Sequence, residues 1–433
     1  MSLFGAMTTA ISGLTAQSRA LGHISDNVAN SQTVGYKRVD TNFVSFLTRS
    51  SLRLHLPGSV EARPDFTNSV QGTIEQSENP LAMAIAGQGF FAVAQARGFA
   101  GGLPTFDERS FYTRAGDFRV DRDGYLVNGQ GYYLQGWNVT PGGEPDRTQI
   151  NPIRISQLVF NPVATTSIDL AANLPADPPA TPVSAQIQVY DTLGRLRPVN
   201  MVWTNLAPNV WELSINAPDD VNSPVRGTIE VRFGQAATPP APDGTIGEFL
   251  NSTGSLAGAA TVAGEPASVT FDADFGQGAQ PITLNLGTFG QAIGMTQFAG
   301  REYTVRNLSQ DGVPLGAFAG LALRENGDLA INYDNGQTRI VARIPIIAFN
   351  DPDRLQRLDG QAFLRTLESG EARISDASAN GVGKLVAGSI ERSNVDIAAE
   401  FSKLIVAQRA YTANTRIVTA SDEMLQDTIN MRR

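Results

Sequence analysis

Residues 3–28 read LFGAMTTAISGLTAQSRALGHISDNV, and residues 397–429 read IAAEFSKLIVAQRAYTANTRIVTASDEMLQDTI. In the first stretch Met7, Leu14, Leu21 and Val28 recur every seven residues, with Leu3, Ala10 and Ile24 in companion positions and Gln17 as a polar interruption. In the second, Ile397, Leu404, Tyr411, Val418 and Leu425 keep the same period, with Phe401 and Ile429 beside them and Gln408 as the interruption. A seam repeating every 3.5 residues is what one helix needs to pack lengthwise on another. Neither stretch can bury its stripe alone. The two ends are therefore expected to meet each other, or copies of themselves in neighbouring subunits, which points to assembly rather than to an active site.

Between these ends the pattern is β-like. Around residues 83–93, 111–114, 118–120 and 125–127, short aromatic and β-branched runs are separated by Asp/Gly turns, as in an antiparallel sheet. The stretch NLPADPPATPV at 173–183 cannot sustain a ladder, because proline donates no hydrogen bond, and it marks a boundary near a second β region. Candidate strands there are 186–190, 198–203, 210–215, 228–233, 268–271 and 282–286, with a Gly/Ala/Pro-rich loop over 235–264. Strand signals resume at 329–333 and 338–349, and Ser393-Asn394-Val395-Asp396 has the Ser-x-x-Asp form that opens a helix.

The fold class expected is α+β. Mainly antiparallel β domains are nested one within another, and the terminal helices pair as a coiled-coil-like rod. The divisions are an N-terminal helix over 1–30, an irregular connector over 31–80 and the first half of a β domain over 81–157. An inserted outer β domain follows over 158–308, then the second half of the first β domain over 309–392 and a C-terminal helix over 393–433. Hinges are expected near 151–166 and 304–316, where Pro152, Pro162, Gly312, Pro314 and Gly316 punctuate the chain.

Composition narrows the chemistry. A net charge of −9, with lysine only at positions 37, 384 and 403, argues against a nucleic-acid partner, which would need a concentrated basic surface. The chain has no cysteine, so it has neither disulfides nor thiolate ligands. Its two histidines, His23 and His55, have no motif around them that would make a triad or a metal site. Asp121-Arg122-Asp123-Gly124 lacks the remaining calcium-loop ligands and reads as a hairpin turn. Neither Gly87-Gln88-Gly89 nor Gly381-Val382-Gly383-Lys384 completes a nucleotide-binding motif. No cofactor, no metal, no membrane insertion and no catalytic residue are expected. Without a signal peptide or an apolar span, composition alone would place the chain in the cytoplasm.

The segment Asn27-Val28-Ala29-Asn30-Ser31-Gln32-Thr33-Val34-Gly35-Tyr36 resembles the N-terminal signature of the flagellar rod and hook family of bacterial axial proteins. The skeleton that carries the likeness is Asn27, Asn30, Thr33, Gly35 and Tyr36. Gly87-Gln88-Gly89-Phe90-Phe91-Ala92-Val93, Phe111-Tyr112-Thr113-Arg114-Ala115-Gly116-Asp117-Phe118 and Ile405-Val406-Ala407-Gln408-Arg409-Ala410-Tyr411 are similar to that family as well. The large second β region, with Val189-Tyr190-Asp191-Thr192-Leu193-Gly194, looks like the hook branch rather than the shorter rod branch.

The resemblance implies a structural subunit that self-assembles into a curved, flexible extracellular tube, a universal joint passing torque from motor to filament. It implies as partners further copies of the chain, the flagellar rod, a hook–filament junction protein, a hook cap protein and the flagellar type III export apparatus. Export without a cleaved signal peptide then replaces the cytoplasmic placement. A distal-rod-type subunit is the alternative, and a flagellum-associated wall hydrolase a more distant one.

Overall fold

A computed structural model describes residues 3–51, 54–140, 143–155, 159–300 and 302–430. Two helices, α1 (Leu3–Ala29) and α2 (Ile397–Asn430), flank a chain whose other regular structure is almost wholly strand. The class is α+β, with sheets that are predominantly antiparallel. One departure is the strand Ser167–Pro175, which pairs in parallel with Ala279–Thr288 and with Thr296–Phe298. The chain divides into two units: Met1–Ser156, Ala319–Asn332 and Thr338–Arg433 form the first, and Gln157–Phe318 with Tyr333–Gln337 the second. Residues 309–318 and 333–337, expected in the first β domain, thus cluster with the inserted unit.

The second unit shows how a period-2 pattern becomes a core. Val183–Tyr190, Leu196–Ala207, Val210–Asn216, Val225–Phe233 and Ile246–Leu250 form a five-stranded antiparallel meander. Along Val210–Asn216 the residues alternate between half-buried and buried, so Trp211, Leu213 and Ile215 share one face. They pack in one cluster with Leu170, Val269, Phe271, Leu284 and Leu286 from a six-stranded sheet. Each strand expected at 186–190, 198–203, 210–215, 228–233, 268–271 and 282–286 lies within an observed one. Ile246–Leu250 falls inside the stretch expected as loop; its five residues do not alternate, and Gly/Pro-rich sequence surrounds it. The first half of the expected hinge at 304–316 is the strand Thr304–Gln310, which runs antiparallel to Ser167–Pro175. Asp311 secures it by accepting from the Thr166 and Ser167 amides at 2.8 and 2.9 Å.

In the first unit, Tyr132–Asn138 pairs with Phe91–Ala100 on one side and Thr338–Arg343 on the other. Phe111–Thr113, Ala362–Leu364 and Gln356–Leu358 extend the sheet. Its core is aromatic: Phe90 meets Phe349 and Phe363 edge-on at 6.0 and 5.4 Å, and Tyr112 meets Phe349 at 4.8 Å. The expected turn at 121–124 joins Arg119–Val120 to Leu126–Val127, and Asp121 accepts from the amides of Asp123 and Tyr125. The run 338–349 breaks into Thr338–Arg343 and Ile346–Ala348, with Pro345 between them.

The irregular connector expected over 31–80 is instead dominated by a long hairpin, β1 (Val39–Ser51) and β2 (Leu54–Phe66). It lies along α1: Thr9 Oγ1 donates to the Gly58 carbonyl at 2.9 Å, Ser12 Oγ accepts from the Val60 amide at 3.2 Å, and His23 Nδ1 pairs with Thr41 Oγ1 at 2.9 Å. A two-stranded ribbon held to a helix by polar contacts and small residues such as buried Ala62 needs little apolar alternation, so its period is faint in the sequence. His55 lies outside the described side chains. The helix α2 starts three residues later than Ser393 implied, because Asp396 is its cap, accepting from the Ala398 and Ala399 amides at 2.9 and 3.1 Å.

Candidate assembly site

The helices α1 and α2 lie antiparallel. Asn27 Nδ2 donates to Glu400 Oε2 at 3.0 Å near one end of the contact, and Gly13 faces Asn414 further along. A Cβ on Gly13 would sit 2.9 Å from Asn414 Nδ2, so a larger residue there would have to displace the Asn414 side chain. The buried positions of α1 are Ala10, Gly13, Ala16, Ala20, Ile24 and Asn27, and those of α2 are Glu400, Ala407 and Ser421. The intramolecular seam is therefore small and polar. Short side chains let two helix backbones approach closely.

The sequence-derived heptads are for the most part the less buried positions of the two helices. Met7, Leu14, Leu21 and Val28 are half-buried and, Ile24 aside, the fully buried positions of α1 are smaller or polar residues. Leu404, Val418 and Leu425 are half-buried on α2, while Ile397, Phe401 and Tyr411 are exposed. The Leu3 side chain lies outside the described ones. Further large apolar residues face outward, among them Phe4 (67% exposed), Val406 (67%), Met424 (59%) and Ile429 (69%). Exposed apolar surface on this scale marks an interaction face.

Below the helices the motif residues build one turn. Asn27 is buried and uses its whole side chain: Nδ2 donates to the Val39 carbonyl and Glu400, and Oδ1 accepts from the Val39 amide and the Tyr36 hydroxyl. Asn30 closes the end of α1, its Nδ2 donating to the Asp26 carbonyl at 2.9 Å and its Oδ1 accepting from Thr33 Oγ1 at 3.2 Å. Gly35 takes φ = 70°, and a Cβ there would lie 2.5 Å from the Ala115 amide nitrogen. Its own amide donates to the Glu391 carbonyl at 2.8 Å. Burial raises the Tyr36 phenol above its ordinary pKa.

Charged residues then tie the turn to the body. Lys37 and Arg114 both donate to Glu391, and all three side chains are shielded from water. Burial lowers Lys37 to about 8, against the opposing pull of Glu391, and burial also lowers Arg114. Arg357 lies over the Phe66 ring at 4.8 Å and donates to the carbonyls of Lys37 and Arg38 and to Asn68 Oδ1. Burial lowers it as well, to about 10. Asn394 fastens α2 to the same turn, its Oδ1 accepting from the Arg38 amide at 2.7 Å. Lys403 joins Glu400 to Asp40; burial pulls its pKa down, but the two carboxylates outweigh this and raise it. Sequence reasoning missed Glu391, Glu400, Arg357 and Asn68. A usable signal was the scarcity of lysine: of three in the chain, Lys37 and Lys403 are both committed to ion pairs here.

A chain whose two ends close into one antiparallel pair, with apolar helix faces turned outward, has the form of an assembly subunit. Four family models give that form a class, the flagellar axial proteins. They are the flagella basal body rod protein over residues 7–37, the flagellar hook protein FlgE/F/G D1 domain over 84–173, the flagellar basal body protein FlaE D2 domain over 161–313, and the flagellar basal body rod FlgEFG protein C-terminal over 386–431. The flagellar hook protein FlgE of Brucella abortus is 31% identical across the full length of both chains. That of Escherichia coli K12 is 28% identical over 99% of this chain and all of its own. The Helicobacter pylori flagellar hook protein FlgE2 structure matches 72% of this chain and 98% of its own at 17% identity and a TM-score of 0.46. The chain belongs to the flagellar hook protein family.

Proposed function

We propose that this hook subunit polymerises through α1 and α2, which act as a coiled-coil-like pair lining the inner wall of a curved extracellular tube. The single observation that carries this reading is the division of labour along the helices. Small and polar residues close the pair within one chain, and large apolar residues remain outside for neighbouring copies. The second unit would be the outer domain, and the tube would act as a universal joint between rod and filament. The rod, the hook–filament junction protein, the hook cap protein and the type III export apparatus are the partners this role requires. The role is structural, with no catalysis assigned to the chain.

The test is a charge on the outward face. Val406→Asp, at a residue 67% exposed in the monomer, should leave a folded, soluble subunit that forms no sedimentable polymer. Tubes assembled by that variant at parental yield would refute the role given to the helices.

A further inference from the structure

Lys37, Arg114 and Glu391 come from three distant parts of the chain. Lys37 follows the turn after α1, Arg114 follows the strand Phe111–Thr113, and Glu391 ends the strand Ser389–Glu391. Glu391 Oε1 accepts from Lys37 Nζ and, at 2.8 Å, from the Gly72 amide, while Oε2 accepts from Arg114 at 3.0 Å. Lys37 also donates to the Val70 carbonyl at 2.6 Å, and Arg114 to the Ile85 and Gly87 carbonyls at 3.2 and 2.7 Å. Arg114 lies over the Phe90 ring, and Arg357 adds a third cation nearby, donating to the Lys37 carbonyl. Among the described residues no second carboxylate hydrogen-bonds to Lys37 or Arg114.

We infer that Glu391 is a charge keystone: it makes docking of the N-terminal arm, meaning the turn after α1 with the β1–β2 hairpin, onto the body conditional on arrival of the C-terminal strand Ser389–Glu391. Two cations converge on one carboxylate, with all three side chains closed off from solvent. Without Glu391, docking the arm would bring Lys37 and Arg114 together unpaired in a medium where like charges repel strongly and an uncompensated charge is costly. The same strand supplies the carbonyl that receives the Gly35 amide, so the family turn and the keystone are completed by one event. Asn394 and Glu400, which hold Arg38 and Asn27, follow within ten residues. The arm and both helices are therefore placed together, only once residue 391 is present. A truncated or half-built chain would keep its N-terminal arm free. The inference concerns the single chain, so it stands or falls separately from polymerisation.

A charge-balance cycle on the full-length subunit tests it, read as hydrogen exchange of the amides at residues 35–39 and at Gly72. Glu391→Gln keeps the size and the acceptor for Gly72 but removes the charge. It should accelerate exchange about tenfold or more, as expected when one partner of a buried pair is lost, with the thermal transition of the second unit unmoved. Adding Lys37→Met removes the repulsion but leaves Arg114 without a carboxylate, so exchange should recover in part, to a rate at least about threefold slower than that of Glu391→Gln alone. Lys37→Met alone leaves a balanced Arg114–Glu391 pair and should stay within about threefold of the parent. A double variant that exchanges as fast as Glu391→Gln overturns the keystone, as does a Glu391→Gln chain within threefold of the parent. Tenfold acceleration in Lys37→Met alone would overturn it too, by placing the docking in that side chain's contacts instead of in charge balance.

Discussion

Asn27 shows what a single residue does here, since its amide holds the end of α1, the start of β1 and Glu400 of α2 at once. Replacing it with alanine would strand the Val39 amide and one oxygen of Glu400, whose other oxygen keeps Lys403, at a cost of about 1–3 kcal/mol for each buried group left unsatisfied. Gly35→Ala should cost about as much or more, because L-residues resist φ = 70° and the new methyl would overlap Ala115; the midpoint of denaturant unfolding of the first unit reads both. Lys37 adds a pH signature. Its folded pKa of about 8 is below the unfolded value of 10.5, so between those values the unfolded chain binds more protons than the folded one. Stability should therefore rise with pH through that window, by about 2 kcal/mol between pH 7.5 and 10, and Lys37→Met should abolish the rise. A parent and variant with parallel stability profiles over that range would contradict it. At this scale the motif was legible as residue types, because Asn, Gly and Tyr at fixed offsets carry local geometry. Glu391 was not legible, because a pair 354 residues apart in sequence leaves no periodicity.

Among the elements, those whose burial follows a simple period could be read from sequence. Strands of the second unit alternate because each has one face in a two-sheet core, and both helices carry stripes near 3.5 residues. The sequence did not reveal which stripe closes the helix pair. Large apolar residues dominate a pattern read from sequence, yet small ones decide how closely two helices pack, so the seam lies on Gly13, Ala20, Glu400 and Ala407. The β1–β2 hairpin escaped for a related reason: it is held to α1 by hydroxyl and backbone contacts, which no hydrophobic period reports. This separates two kinds of helix variant. Gly13→Leu should displace the Asn414 side chain from the contact of α1 with α2 within one chain and raise amide exchange along both helices. Leu14→Asp and Leu404→Asp change half-buried positions beside the seam, so they should lose sedimentable polymer while shifting the subunit's own unfolding by only about 1 kcal/mol. Normal polymer from Leu14→Asp, or a large loss of subunit stability, would return the heptads to the monomer's interior.

For the whole molecule the open matter is what the second unit contributes to a tube that bends. A curved tube rotating about its own bent axis requires each row of subunits to shorten and lengthen once per turn. That demands a wall whose contacts persist and other parts whose contacts can slide. Helix faces with continuous apolar residues suit the wall. A separately cored β unit suits the sliding part, since its own hydrophobic cluster holds it together, and domain motion in general needs only a few residues at a boundary to absorb rotation. The paired strands Ser167–Pro175 and Thr304–Gln310, secured by Asp311, belong to that unit, so the natural cut lies outside them. Replacing residues 157–318 with a short Gly/Ser linker removes the unit's main segment and leaves α1, α2, the hairpin and the charged turn intact. Such a chain should still assemble, and electron microscopy should show tubes straighter than the parent's. Failure to assemble would mean that the second unit carries integrity as well. Unchanged curvature would mean that bending is set by the helices, and the division of labour proposed for this hook subunit would be wrong.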